Sequence, residues 1–302
     1  MTLARRIGIV GSGRVARALA RGLGAHSAAA PLLWGRTVQR AQEAAASQGW
    51  TAVQGLHELV EACDLIALAV SDDAVQGVVT ELSELPFPAD RAALVFHVSG
   101  ARGVAVLDPL RSQGVRTAAI HPVMTFTGDH ELERGRLVGA RFAVTASGRA
   151  ALEGARAVVA ALGGVFVEIA EADRALYHAA LCHGANHLVT LLSGAMEGLA
   201  AAGVAQPGAL LAPLVHAALE NTLEQGFGAL SGPLLRGDSG TIAGHLAALE
   251  ATSPALQEAY RAMARATLEG LEGRETAELR ALLGAGRPGR GGAVDAEAGS
   301  GR

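Results

Sequence analysis

The chain has 302 residues, half of them apolar, which is enough to bury a large core and to form two domains. A formal charge of -4 and an aromatic content of 3% argue against a nucleic-acid surface, because phosphate neutralisation needs a basic face and base stacking needs rings. All 25 basic residues are arginine, so Schiff-base lysine, lysine general-acid and P-loop chemistry are excluded and a small-molecule partner must be handled by other groups.

The opening run MTLARRIGIVGSG enters a glycine turn after only a few apolar residues, so no signal peptide is expected. No stretch approaches about 20 uninterrupted apolar residues, so no membrane span is expected either. Short apolar runs near 6–11, 31–35, 51–53, 65–70, 94–99 and 117–121 alternate with helical patterns, which predicts repeated β-α units. The fold class that follows is α/β, a Rossmann-type doubly wound parallel sheet. Two later runs, RFAVTA (141–146) and VFVEIA (165–170), bracket a helix starting near Ser147 and extend the same sheet. Cys63 and Cys182 stand far apart without CxxC spacing, which gives no sign of a disulfide framework and suits a reducing cytoplasm.

Beyond Ala170 the strand signal ends. The run 171–203 carries no proline and predicts one long helix opening a helical domain over 171–283, after a dinucleotide-binding domain over 1–170. The Gly-rich stretch 284–302 predicts a disordered tail.

The glycine turn is the strongest local signal. Gly11, Gly13 and Ala16 form GxGxxA directly after a strand and at the opening of a helix, with Ser12, Arg14 and Val15 completing the turn. Gly11 permits the tight turn, Gly13 lets backbone N–H groups approach a pyrophosphate, and Ala16 keeps helix and strand close. An NAD site usually carries an acid after the second strand, but this chain reads PLLWGRT, with Arg36 and Thr37 in that place. Arginine can bond a 2'-phosphate and Thr37 can cap its helix and donate its hydroxyl, so NADP is the expected cofactor.

Further strand ends reach the same carboxyl edge: Val70, Ser71 and Asp72 after the fourth strand and Ser99 and Gly100 after the fifth are expected beside the cofactor, and His121 after the sixth faces the same crevice. His97 lies deeper and reads as a hydrogen-bonded core histidine. On the long helix Arg174, His178, Cys182 and Asn186 recur every four residues along one stripe, while His183 and His187 form a second pair. No carboxylate joins these histidines and no HExxH occurs, so a polar stripe is favoured over a metal site. In SGPLLRGDSGTIAGHL, Asp238 or Thr241 reads as a helix cap, and Arg236 suits carboxylate or phosphate recognition as well as a structural role.

Five stretches, GIVGSGRVA, HVSGARG, AAIHPVMTF, ALYHAALCHGANHLVTLL and SGPLLRGDSGTIAGHL, together resemble a family of bacterial oxidoreductases with a Rossmann-like domain followed by a helical domain of unknown function. Its layout is similar to ketopantoate and pyrroline-5-carboxylate reductases. That resemblance implies NADPH-dependent reduction of a small C=O or C=N substrate and a homodimer formed through the helical domain. Ketopantoate reductases use a lysine on the first long helix; here Arg174 and His178 stand in that region.

Hydride transfer to a carbonyl needs a proton donor and a group that stabilises negative charge. The candidates are His178 or His121 as donor, Asn186 and Ser99 as orienting groups, and Arg174 or Arg236 as the grip on a substrate carboxylate. A histidine donor would place an activity change within about two units of pH 6.5. The alternative is a non-catalytic NADP-binding sensor whose helical half binds a partner.

Overall fold

A computed structural model of the chain describes residues 2–271 and 276–284, and all eight expected strands are present. In chain order the elements are β1 (Ile7–Val10), α1 (Arg14–Gly24), β2 (Leu32–Trp34), α2 (Val38–Ala46), β3 (Thr51–Ala52), α3 (Leu56–Ala62), β4 (Leu65–Leu68) and α4 (Asp72–Ser83). There follow β5 (Leu94–His97), α5 (Asp108–Arg111), β6 (Arg116–Pro122), α6 (His130–Leu137), β7 (Arg141–Ala146), α7 (Arg149–Ala161), β8 (Val165–Glu168) and α8 (Arg174–Ala201).

The strands form one sheet in the order β3-β2-β1-β4-β5-β6-β7-β8. Both faces of the sheet are covered, because its strands are apolar at successive positions and each face has its own core. Along β4, Leu65 and Ala67 enter a core with Ile9, Phe96 and Val158, while Ile66 and Leu68 enter another with Val79, Leu82 and Leu107. Each fully buried Leu or Ile contributes about 1.5–3 kcal/mol. The chain runs outward from β1 to β3 in one direction and from β4 to β8 in the other. The carboxyl ends of β1 and β4 therefore flank the switch point where such sheets bind ligands.

The expectation of a wholly parallel sheet needs one correction: β7 pairs antiparallel to β6, with His121 opposite Ala143 and Pro122 opposite Phe142. Between them α6 packs against α1. A helical crossover usually implies parallel partners, and RFAVTA reads alike in either direction, so the reversal is invisible in the sequence pattern.

Two compact units divide between Gly184 and Ala185, so the first continues beyond the last strand and includes the first turns of α8. The second unit contains the rest of α8, then α9 (Pro207–Gln225), α10 (Pro233–Arg236), α11 (Ser239–Thr252), α12 (Pro254–Glu269) and α13 (Ala277–Gly284). Its core comes from the last three helices, through Ile242, Leu246, Ala264, Leu268, Leu279 and Leu283. By contrast α9 buries no residue and α8 only Arg174. The tail expected over 284–302 lies, from residue 285 onward, outside the described residues. No described helix is long and apolar enough to cross a membrane.

Candidate active site

The glycine turn has the geometry its sequence requires. Gly11 has φ +126°, and a Cβ there would collide with the Ala69 carbonyl of the neighbouring β4 segment, so only glycine fits. Gly13 differs: its φ of -76° suits any residue, and a Cβ there would meet nothing within 4 Å. Gly13 is the N-cap of α1 with no side-chain cap, and no acid stands in the first turn. The helix therefore offers open N–H groups and positive potential to an anion. Ser12 lies beside Gly35, Val15 packs on the core, and Arg14 is exposed with its Nη1 donating to the Phe126 carbonyl at 3.3 Å. That bond brings the β6–α6 loop against the glycine turn.

At the end of β2, Arg36 and Thr37 are exposed. Thr37 occupies the N-cap of α2 but makes no side-chain cap bond, which corrects the expectation that it closes its own helix. Arg40, one turn further on and also exposed, was not singled out from the sequence. Among the described residues neither Arg36 nor Arg40 makes a hydrogen bond or an ion pair. Val70 is half-buried, and Ser71 is the N-cap of α4 without a side-chain bond. The Asp72 carbonyl accepts from Arg102 Nε at 2.9 Å.

His97 is the core histidine anticipated. It is fully buried, its Nδ1 accepts the Ser99 N–H at 3.2 Å and its Nε2 faces the Gly103 carbonyl at 2.9 Å. Accepting at Nδ1 puts the hydrogen on Nε2, a neutral imidazole that burial pushes down to about 4. Ser99 is itself buried, and its Oγ accepts the Arg102 N–H at 3.1 Å. Its hydroxyl oxygen thus closes the turn after β5, and its hydroxyl hydrogen is left to donate.

Beyond Ser99, two imidazoles converge. A Cβ on Gly100 would lie 2.5 Å from His178 Cδ2 and 2.9 Å from His121 Nε2, so glycine leaves the floor on which both rings sit. The ring centroids of His121 and His178 are 6.1 Å apart, edge to face. His121 Nδ1 lies 2.7 Å from the Tyr177 hydroxyl, a short hydrogen bond. Burial, with the Arg174 charge adding to it, pushes His121 down to about 4. Burial pushes the Tyr177 phenol up to about 12, against a smaller opposing effect of Arg174. Near neutral pH the pair is an uncharged imidazole and an intact phenol. The expected transition near pH 6.5 therefore does not apply to His121.

Arg174 is not the carboxylate grip expected from the sequence. Only 2% exposed, its Nε donates to Thr145 Oγ1 at 2.9 Å and its Nη2 to the carbonyls of Ala119 and Ala143 at 3.0 and 3.3 Å. It ties the start of α8 to the antiparallel β6–β7 pair. Just before it, the Glu171 carboxylate accepts the N–H groups of Val104 and Ala105 at 2.7 and 3.1 Å. Together they set Tyr177 and His178 in place, one turn further along α8.

The rest of the expected stripe divides. Cys182 Sγ lies 3.7 Å from His178 Nε2, while Asn186 is exposed in the second unit. His183 and His187 are exposed too, and among the described residues no three His, Cys, Asp or Glu side chains are placed to hold a metal. In the second unit Arg236 is exposed at the end of α10. Asp238 is the anticipated cap of α11, accepting the Thr241 N–H at 2.9 Å and its hydroxyl at 2.7 Å.

Tyr177 is the site residue that sequence reasoning missed. It stands next to His178 in ALYHAAL, and a signal was available, since the chain has only two tyrosines. The other, Tyr260, also meets a histidine, 2.9 Å from His245 Nδ1.

Residues 2–122 match the family model described as a Rossmann-like domain. Residues 140–267, from the start of β7, match the model described as a domain of unknown function, DUF2520. No curated protein matches the sequence. Among solved structures, the fold is shared with a Bacteroides fragilis protein described provisionally as an NADP oxidoreductase (22% identity, TM-score 0.70, covering 87% of this chain and 98% of that one). It is shared with an imine reductase from Myxococcus stipitatus in complex with NADP+ (19%, 0.66, 92% and 98%). A 1-pyrroline-5-carboxylate reductase from Streptococcus pyogenes has it as well (18%, 0.58, 88% and 97%). The chain thus matches a Rossmann-like model followed by a DUF2520 model, the layout that its motifs resemble.

Proposed function

We propose that the chain is an NADP(H)-dependent oxidoreductase that reduces a small C=O or C=N substrate. The observation that carries this reading is the Tyr177–His121 pair at the carboxyl edge of the sheet, in the same compact unit as an open glycine turn. The residues fit the cofactor. A Cβ-free approach at Gly13, the unfilled N-terminus of α1 and the unpaired Arg36 and Arg40 provide for a pyrophosphate and a 2'-phosphate, with the Thr37 hydroxyl as a further donor. When bound, the nicotinamide supplies the hydride. Gly100 lets the two imidazoles settle together at the carboxyl edge of the sheet, where a substrate would meet them.

The chain's own part is the proton. One hydrogen lies between His121 Nδ1 and the Tyr177 oxygen, and both groups are neutral before reaction. They can therefore pass a proton to a developing alkoxide or amine without burying a new charge beforehand. His178, on the same floor, is the second candidate donor and orients the substrate. Arg174 is committed to the β6–β7 carbonyls, so a carboxylate on the substrate is left for another arginine.

The partner is a second copy of the chain. Helices apolar on all sides belong inside a protein, yet α8 and α9 leave Val189, Leu191, Leu210, Leu214 and Leu223 exposed. A reducing compartment such as the cytoplasm suits two free thiols. The reading of a sensor without turnover has no observation in its favour beyond the same cofactor features.

The test is to titrate NADPH and NADH by fluorescence, then assay NADPH oxidation across 2-keto acids and cyclic imines with the parent and Tyr177→Phe. Turnover that falls at least tenfold in the variant, with NADPH affinity kept, supports the assignment. NADPH binding without turnover on any substrate favours the sensor, and equal affinity for the two cofactors removes the 2'-phosphate site.

A further inference from the structure

The opposite edge of the sheet, where the strands begin, carries a second polar cavity of about 340 Å³. Residues beside the starts of four adjacent strands line it: Arg5 before β1, Asp64 before β4, Arg91 before β5 and Arg116 at the start of β6. Gly154 of α7 keeps one wall back, since a Cβ there would lie 3.0 Å from Leu94 and 3.9 Å from Arg116 Nη1.

Two of these arginines are held in place but not neutralised. Arg91 Nη1 donates to the Glu61 carbonyl and Arg116 Nη2 to the Ala92 carbonyl. Neither forms an ion pair among the described residues, and the Nε–H of each is buried without an acceptor. Asp64 does not serve them: its Oδ2 takes the Arg5 N–H at 2.9 Å and faces Arg5 Nε at 3.5 Å. Asp90, also on the lining, is exposed. The cavity thus presents two guanidinium groups that are held by backbone carbonyls and free of ion pairs, beside the Asp64 carboxylate that Arg5 pairs and the exposed Asp90, so its three arginines outnumber its two acids. Such forks match the geometry of an oxyanion, and their fixed positions mean that little order is lost when one binds.

We propose that this cavity binds a compact oxyanion, the phosphate or carboxylate group of a small ligand, at a site separate from the dinucleotide crevice. Neither the cofactor nor the Tyr177–His121 pair enters the argument, and the site stands whether or not the chain is a reductase.

The test is isothermal titration of the full chain with inorganic phosphate and, in a separate arm, succinate; the ratio of affinities says which group the site prefers. The expected result is binding in the millimolar range or tighter that weakens with added salt, is kept in Arg36→Gln and falls at least tenfold in the double variant Arg91→Gln, Arg116→Gln. Because the double variant removes two backbone ties, Ala157→Glu is the companion. It places a carboxylate on the cavity wall, removes no bond, and should also weaken binding at least tenfold. No binding of either anion to the folded parent up to about 20 mM, or unchanged binding in folded Ala157→Glu, overturns the proposal.

Discussion

The two glycines of the turn after β1 should separate stability from binding. Gly11→Ala forces a side chain into φ +126° and drives its Cβ against the Ala69 carbonyl, a backbone atom that cannot rotate away. A non-glycine residue in such a region costs about 1–3 kcal/mol, and the overlap adds about 1–3 more. The sum, about 2–6 kcal/mol, should lower the thermal midpoint by roughly 5–20 °C at the size of this domain. Gly13→Val has no such cost, because its backbone suits any residue and nothing lies within 4 Å of the new Cβ. That open space is where a pyrophosphate would approach, so this variant should melt within about 2 °C of the parent and lose NADPH binding. Circular dichroism melts and NADPH titrations on the parent and both variants decide the matter. A Gly11→Ala protein as stable as the parent would refute the steric argument. NADPH binding retained by a folded Gly13→Val protein would show that the turn is only a corner.

Acidification should destabilise the first unit between pH 6.5 and about 4, because His97 and His121 are held neutral in the fold and take up protons when it opens. Stability present above pH 6.5 is lost on the way down, by at most about 1.4 kcal/mol per pH unit for each imidazole; urea midpoints at pH 7 and 5 measure it, and equal midpoints contradict the burial argument. Arg174→Met should lower stability by about 2–4 kcal/mol through the acceptors it strands, without raising KM selectively for carboxylate-bearing substrates. A selective KM increase in a stable variant would restore it as a substrate grip. Replacing both Arg36 and Arg40 by Ala should weaken NADPH by at least tenfold while leaving NADH nearly unchanged, as read by fluorescence titration. Equal losses for the two cofactors would mean that these arginines do not read the 2'-phosphate.

The strands were legible because each is a short apolar run between turn residues, and such runs keep their meaning wherever they sit in the sheet. The glycine turn, the core role of His97 and the Asp238 cap were legible for a related reason, since each is decided within a few residues of chain. What escaped was set over long separations. Tyr177 meets His121 across 56 positions, and nothing in ALYHAAL says which residue the hydroxyl will find. Arg174 was expected to grip a substrate carboxylate from the stripe on the long helix, but its acceptors are largely backbone carbonyls, which a sequence does not display. The reversal of β7 was hidden for the same reason: strand direction belongs to the pairing and not to the run of residues.

The ties of Glu171 and Arg174 also fix when the candidate site can exist during synthesis. The loop N–H groups of Val104 and Ala105, and the carbonyls of Ala119 and Ala143, are all made well before the side chains that bind them. As the chain leaves the ribosome, the glycine turn and its sheet neighbours can assemble early. The floor at Gly100 and the pair at His121 must wait until residues 171 to 178 have emerged. A nascent chain stopped before that point has the glycine turn and its sheet neighbours but not the Tyr177–His121 pair, so the order of synthesis completes the candidate site after the turn.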